Sequence, residues 1–280
     1  MSMPSAEAQA NITLGWDMGD MMVGYFNLAE LPEELKADQS LVTAADIAIS
    51  NAVVRFFQAQ GRNVVSEESG RTAEYGDPDA EYLDPLDGTA DFAEARKLGR
   101  QSIAAFSLGS SVDGEVVRGV VNLPLLRVPR LYWAENGVGA FRVMERGGQP
   151  ERLECEPQSK GGVILVSENR HPYIDRLQAM GYTTVSLGGA VFKACCVADP
   201  NLVSDFNSDL LPPDERVVGF VSDSAQAHDY AAAQAIAENA GVLVCGVDGG
   251  KLPLTAGKHG CVFAASEIAR DDMIEAISPA

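Results

Sequence analysis

Apolar positions along residues 6–28 recur at three-to-four spacing, through Ile12, Trp16, Gly19, Val23 and Phe26, and predict an amphipathic helix. Gly15 and Gly19 thin that face, so another element is expected to approach it closely. A second helix is expected from Thr43, because Thr43 followed three residues later by Asp46 fits a capping box. Ile49, Val53 and Phe56 supply its apolar stripe and Gly61 its stop. Residues 63–65 then read as a short strand running into Ser66-Glu67-Glu68-Ser69-Gly70. From 81 to 140 the pattern turns strand-like. Residues 102–108, 116–121 and 130–133 are strand candidates, separated by Gly and Pro turns such as Asp113-Gly114. Their hairpin-length spacing predicts an antiparallel sheet.

Residues 145–162 are rich in Gly, Pro, Glu and Lys and mark a domain junction. Beyond it strands and helices alternate. Strands are expected at 163–166, 183–185, 242–244 and 261–265, and helices at 173–180, 190–197, 225–240 and 267–277. Residues 209–216 read as a loop. Such alternation is α/β layering. The expectation is an N-terminal α+β domain with an antiparallel sheet (residues 1–150) and a C-terminal α/β domain (151–280).

Composition narrows the class. A 46% apolar and 7% aromatic content is that of a globular chain. With 21 basic and 40 acidic residues the net charge is −19, which gives no footprint for non-specific nucleic-acid binding. No basic residue precedes Lys36 and no apolar run reaches a membrane span, so neither a secretory leader nor a membrane partner is expected. Five cysteines without paired spacing argue against a disulfide framework and for a reducing, cytoplasmic setting. Adjacent Cys195 and Cys196 read as core filler. His171, His228 and His259 lack zinc spacing.

The sharpest chemical signal is Asp84-Pro85-Leu86-Asp87-Gly88-Thr89. Pro85 forces a turn and Gly88 lets an anion reach backbone N–H groups. Two aspartates this close repel unless a cation sits between them, and all-oxygen donors favour a hard ion such as magnesium. A dehalogenase-type phosphatase would need its two aspartates two residues apart; here the gap is three, with Pro85 inside it. Thr43-Ala44-Ala45-Asp46 and Glu67-Glu68 lie upstream, and His228-Asp229-Tyr230-Ala231-Ala232 lies downstream.

This ordered set resembles the inositol monophosphatase family, with its Val-Thr-x-x-Asp, Gly-Glu-Glu, Asp-Pro-Ile/Leu-Asp-Gly-Thr and Trp-Asp-x-Ala-Ala motifs, over about residues 42–244. The resemblance implies a layered αβαβα sandwich of the inositol monophosphatase and fructose bisphosphatase type. It also implies a homodimer and two or three Mg2+ ions per site. Glu67, Asp84 and the Leu86 carbonyl would hold the activating ion, and Asp84, Asp87 and Asp229 a second. Gly88 and Thr89, beside Asp87, would receive the phosphate. Thr89 backed by Asp46 would orient the attacking water near Glu67. Leu187-Gly188-Gly189-Ala190 resembles the substrate-side turn, and His228, in place of Trp, is expected to border the substrate.

The implied activity is hydrolysis of a small alcohol, sugar, inositol or nucleotide phosphate. Phosphoadenosine and sugar bisphosphate phosphatases are alternatives; a non-catalytic phosphometabolite-binding protein is a reading of another class. Residues 203–226 depart from the family segment, so the substrate side is expected to differ. Arg96, Lys97 and Arg100 form a basic cluster after Thr89. Either solvent or a second anionic group on the substrate must meet it.

Overall fold

The computed structural model describes residues 3–36, 40–68, 70, 72–157, 161–167, 172–212 and 215–278. His171, Ser69 and part of the expected 209–216 loop lie outside these. In chain order the elements are α1 (Ala6–Phe26), β1 (Glu33–Leu35), β2 (Leu41–Thr43), α2 (Ala44–Gln58), β3 (Asn63–Ser66), β4 (Ala80–Asp87), α3 (Thr89–Leu98), β5 (Ala105–Val112), β6 (Glu115–Leu123), β7 (Arg130–Glu135), β8 (Gly139–Val143) and β9 (Glu151–Arg152). There follow β10 (Val163–Val166), α4 (Pro172–Ala179), β11 (Thr183–Ser186), α5 (Ala190–Ala198), α6 (Leu202–Phe206), a 3-10 turn (Ser208–Leu210), β12 (Val217–Ala225), α7 (Ala227–Asn239), β13 (Leu243–Gly246), β14 (His259–Ala264) and α8 (Glu267–Ile277).

Two sheets carry the fold. The larger has order β3-β4-β5-β6-β7-β8-β9, and the smaller β11-β10-β12-β14-β13. The larger is antiparallel except where β3 pairs parallel with β4. In the smaller, β10 runs parallel to β11 and β12, while β14 runs antiparallel to β12 and β13. α1 and α2 pack on one face of the larger sheet, α5 and α7 lie between the sheets, and α4 and α8 cover the outer face of the smaller. The result is the expected αβαβα layering.

Sequence explains this packing. α1 buries Ala8, Asn11, Ile12, Gly15, Met18, Gly19 and Met22. A Cβ on Gly15 would stand 2.6 Å from Val120, and one on Gly19 only 2.1 Å from the Asn122 amide. The buried face therefore turns on the glycines, whereas Trp16 and Val23 are only half-buried. α7 is buried almost all round, which is why it is alanine-rich. It reaches the sheet because β5 and β6 offer Gly109 and Gly119 beneath it. A Cβ there would come within 2.7 Å of the Ala231 backbone and 2.2 Å of the Ala232 carbonyl.

Several expectations need correcting. Residues 89–98 are helix α3, not part of a strand-like run. Only Phe92, Ala93 and Ala95 of it are buried, too few to show a helical stripe. β12 supplies a central strand through residues not expected to form one. β9 extends the larger sheet into the expected junction. Cys195 and Cys196 are both buried and free, as filler should be.

Candidate active site

The site forms where the ends of β3 and β4 meet the starts of α2, α3, α5 and α7. β4 delivers Asp84, Leu86 and Asp87. Pro85 cannot donate to the ladder, and the register with β5 slips between Asp84 and Asp87. Gly88 follows with φ 85°, a left-handed conformation that lets α3 start immediately at Thr89. Next to β4, the Glu67 N–H donates to the Leu83 carbonyl at 3.0 Å, which carries the β3 pairing on and sets Glu67 beside the β4 acids. α2 contributes Asp46, α5 its first N–H groups, and α7 Asp229.

Each carboxylate is held. Asp84 is 2% exposed and its Oδ1 accepts the Leu86 N–H at 2.9 Å. Asp87 accepts from Ala190 N at 3.1 Å and Val191 N at 2.9 Å, the start of α5. Gly189 makes this possible: a Cβ there would sit 3.1 Å from Asp87 Oδ2. Gly188 is exposed beside it. Asp229 Oδ2 accepts the Gln226 N–H at 2.7 Å. Asp46 does two jobs. Its Oδ2 closes the capping box, accepting from Thr43 N at 2.8 Å and Thr43 Oγ1 at 2.6 Å. Its Oδ1 accepts from Thr89 Oγ1 at 3.0 Å, a hydroxyl shared with the Leu86 carbonyl at 3.0 Å.

The electrostatics of this cluster are frustrated. Burial, and then the charges of Glu67, Asp87 and Asp229, hold Asp84 well above the usual carboxylate range. Burial and Asp229 push Asp87 up to about 7, against the pull of Lys193 and the α5 N–H groups. For Asp229 burial also raises the pKa, but the hydrogen bond and charge of His228 outweigh it and the net shift is downward. Burial raises Asp46, with Thr43 and Thr89 opposing.

Lys36, which sequence reasoning did not single out, partly answers this negative charge. Its ammonium lies 2.8 Å from Glu67 Oε1 and 2.5 Å from Glu68 Oε1. Burial works against its charge, but the two glutamates outweigh burial and raise its pKa. Lys193, buried in α5, donates to Ser167 Oγ and the Leu187 carbonyl, each at 2.9 Å; burial lowers it to about 8 despite Asp87. Nothing in the one-dimensional pattern marks either lysine, because their partners come from other elements.

Among the described residues no three carboxylate, imidazole or thiol groups stand ready-made around one point. The donor chemistry nonetheless fits a hard cation. Glu67, Asp84, Asp87 and Asp229 are near enough for Asp84 to feel the other three, all offer oxygen, and their mutual repulsion lacks a full counter-charge.

Two expected features of the substrate side have other surroundings. His228 is buried behind Asp229, 2% exposed, and does not border open space for a substrate. The basic cluster is occupied: Arg100 pairs with Asp91 and Glu94, each at 2.8 Å, Lys97 pairs with Glu33, and Arg96 donates to the Leu28 carbonyl. Arg100, paired with two carboxylates, is the most fully engaged of the three.

The layered fold gathers this acid cluster around the end of β4. Residues 4–279 match the sequence profile of the Inositol monophosphatase family, and the chain belongs to that family. The Nus factor SuhB of Pasteurella multocida (strain Pm70) is 28% identical over 263 residues, 89% of this chain and 86% of that protein. The extragenic suppressor protein suhB from Bartonella henselae superposes with a TM-score of 0.74 at 21% identity, covering 97% of this chain and 98% of that one. An IMPase/NADP phosphatase complexed with Mg2+ and phosphate superposes with a TM-score of 0.75 at 16% identity, covering 99% and 97%.

Proposed function

We propose that the chain is a magnesium-dependent phosphomonoesterase that hydrolyses a small alcohol, sugar, inositol or nucleotide phosphate with water as nucleophile. The observation that carries this reading is the group of buried Asp84 and Asp87 with half-buried Asp229 and Glu67, beside the Asp46–Thr89 pair.

Glu67, Asp84, the Leu86 carbonyl, Asp87 and Asp229 would hold magnesium. When bound, magnesium supplies positive charge that makes water more acidic and offsets the charge of the phosphate and the leaving oxygen. The chain supplies the rest. The Gly88 and Thr89 N–H groups at the start of α3 form an anion site for the phosphate, favoured by the helix dipole. Thr89 Oγ1 donates to Asp46, so its remaining lone pairs are oriented to accept a proton from the attacking water. Asp46, made more basic by burial, receives the hydroxyl proton in turn. The P–O bond to the alcohol breaks as the new one forms, and the departing oxygen takes a proton from solvent.

The test is a phosphate-release screen across phosphorylated metabolites, with magnesium present and absent and folded Asp84→Asn as control. Release that needs magnesium and falls by orders of magnitude in the variant is expected. Undiminished release by folded Asp84→Asn sinks the mechanism. Metabolite binding without release would make the protein a binder.

A further inference from the structure

The ring of His228 has a partner on each nitrogen. Nε2 lies 3.1 Å from Asp229 Oδ1, and Nδ1 lies 2.5 Å from the Tyr75 hydroxyl. A carboxylate only accepts, so Nε2 carries the proton shared with Asp229. In the neutral ring Nδ1 is then an acceptor, and Tyr75 donates to it. The other Asp229 oxygen is fixed by the Gln226 N–H. Asp229 is thus aimed from both sides.

Tyr75 belongs to the connection between β3 and β4, the same connection that begins at Glu67. That connection is tied back onto β3: Thr72 N and Ala73 N donate to the Val64 carbonyl at 2.8 and 3.1 Å, and Val64 N donates to Thr72 Oγ1 at 2.8 Å. The Tyr75–His228 contact joins this N-terminal segment to the start of α7. The chemistry needs a group that both donates and accepts. An indole donates but cannot accept, so the tryptophan of the resembling motif could not link a hydroxyl to a carboxylate; an imidazole does both.

We propose that Tyr75 and His228 are positioning residues: the chain Tyr75–His228–Asp229 sets the direction of the Asp229 carboxylate and locks it to the segment that presents Glu67. Acids from distant parts of the sequence are thereby offered to one metal set as a unit. This rests on the reading of Asp229 and Glu67 as magnesium ligands. Hydrogen-bond partners of ligating groups typically change metal affinity by about 10–100-fold when removed.

The experiment is titration of the full chain with magnesium alone, followed by calorimetry and by the rise in melting temperature. His228→Leu is expected to weaken magnesium binding about tenfold or more. Tyr75→Phe, which removes one oxygen and keeps the ring, is expected to weaken it severalfold with little change in metal-free melting temperature. The double variant should bind no more weakly than His228→Leu, because the proposed route from Tyr75 to Asp229 runs through the imidazole. His228→Gln, which keeps an N–H for Asp229, should recover most of the affinity lost in His228→Leu. Unchanged affinity in folded Tyr75→Phe, or losses that add in the double variant, would overturn the proposal. Asp229→Asn separates the levels. Weakened binding there, with His228→Leu unchanged, refutes the positioning role; no weakening in Asp229→Asn refutes the metal reading and this proposal with it.

Discussion

Replacing Asp87 by asparagine isolates the strain that the site carries without metal. Asp87 keeps its proton up to about pH 7 in the folded chain, whereas an unfolded aspartate releases it near about pH 4. Between those values the folded state binds more protons than the unfolded one, so metal-free stability falls as pH rises. Below the unfolded pKa the penalty is absent; above about pH 7 it is complete. Roughly three pKa units at about 1.4 kcal/mol each amount to about 4 kcal/mol. For 280 residues the unfolding entropy is roughly 0.6 kcal/mol per kelvin, so this corresponds to about 7 °C of melting temperature.

Asp87→Asn also disturbs the hydrogen bonds from Ala190 and Val191, since an amide offers one acceptor oxygen where the carboxylate offers two. That loss does not titrate. It shifts the whole curve, whereas the missing carboxylate changes its slope. The assay is thermal unfolding in chelator from about pH 4 to about pH 8, comparing slopes and not absolute values. The wild type should lose several degrees more than Asp87→Asn across the range, and magnesium should flatten the wild-type curve more than the variant's, which keeps the slope due to Asp84. Equal slopes in the two proteins would refute the view of Asp87 as a carboxylate that awaits a cation.

Thr89→Ala and Asp46→Asn should each lower turnover about 100-fold or more, and the double change should cost little beyond either one; additive losses in steady-state kinetics would separate the pair. Asp46→Asn should in addition lose about 1 kcal/mol of capping in urea unfolding, which Thr89→Ala should not. Gly119→Ala should cost about 1–3 kcal/mol in the same assay, because the added carbon meets the Ala232 carbonyl and the backbone must move. Gly24→Ala, in helix α1 with nothing within 4 Å, should instead stabilise by about 0.5–1 kcal/mol; a loss there would count against the α1 packing. Arg100→Ala should leave the Michaelis constant of the best substrate unchanged, because its guanidinium is engaged with Asp91 and Glu94; a tenfold rise would return it to the substrate.

What could be read from the sequence was local. The capping box at Thr43 and Asp46 and the Asp113-Gly114 turn depend on neighbours in the chain, and the structure keeps them. The thin face of α1 was legible because two glycines four apart leave a groove whatever packs there. The periodic stripe through Trp16 and the buried face do not coincide fully, because the sheet needs the glycine side of the helix. α3 escaped for want of apolar residues, although its punctuation was present: Asp91 in the first turn, Arg96 and Lys97 in the last, and Gly99 beyond with φ 62°. Lys36 reaches Glu67 and Glu68 across 31 and 32 positions of chain, and no spacing rule spans that distance.

His228 shows where such reasoning misleads. A residue adjacent in sequence to a site acid invites the inference that it faces the same space. At the start of a helix that inference fails, because successive side chains point about 100° apart around the axis. Asp229, one position on, keeps 24% of its side chain exposed while His228 turns inward to 2%. The imidazole can still reach Asp229, but from behind, and its far nitrogen is left facing Tyr75, 153 residues away in sequence. Adjacency therefore marks a residue that touches the acid from its buried side rather than one that shares its open space. What the sequence could suggest was that a group with two polar ends stands where the family's motif has an indole; which groups those ends would meet is decided by the packing of the β3–β4 connection against α7.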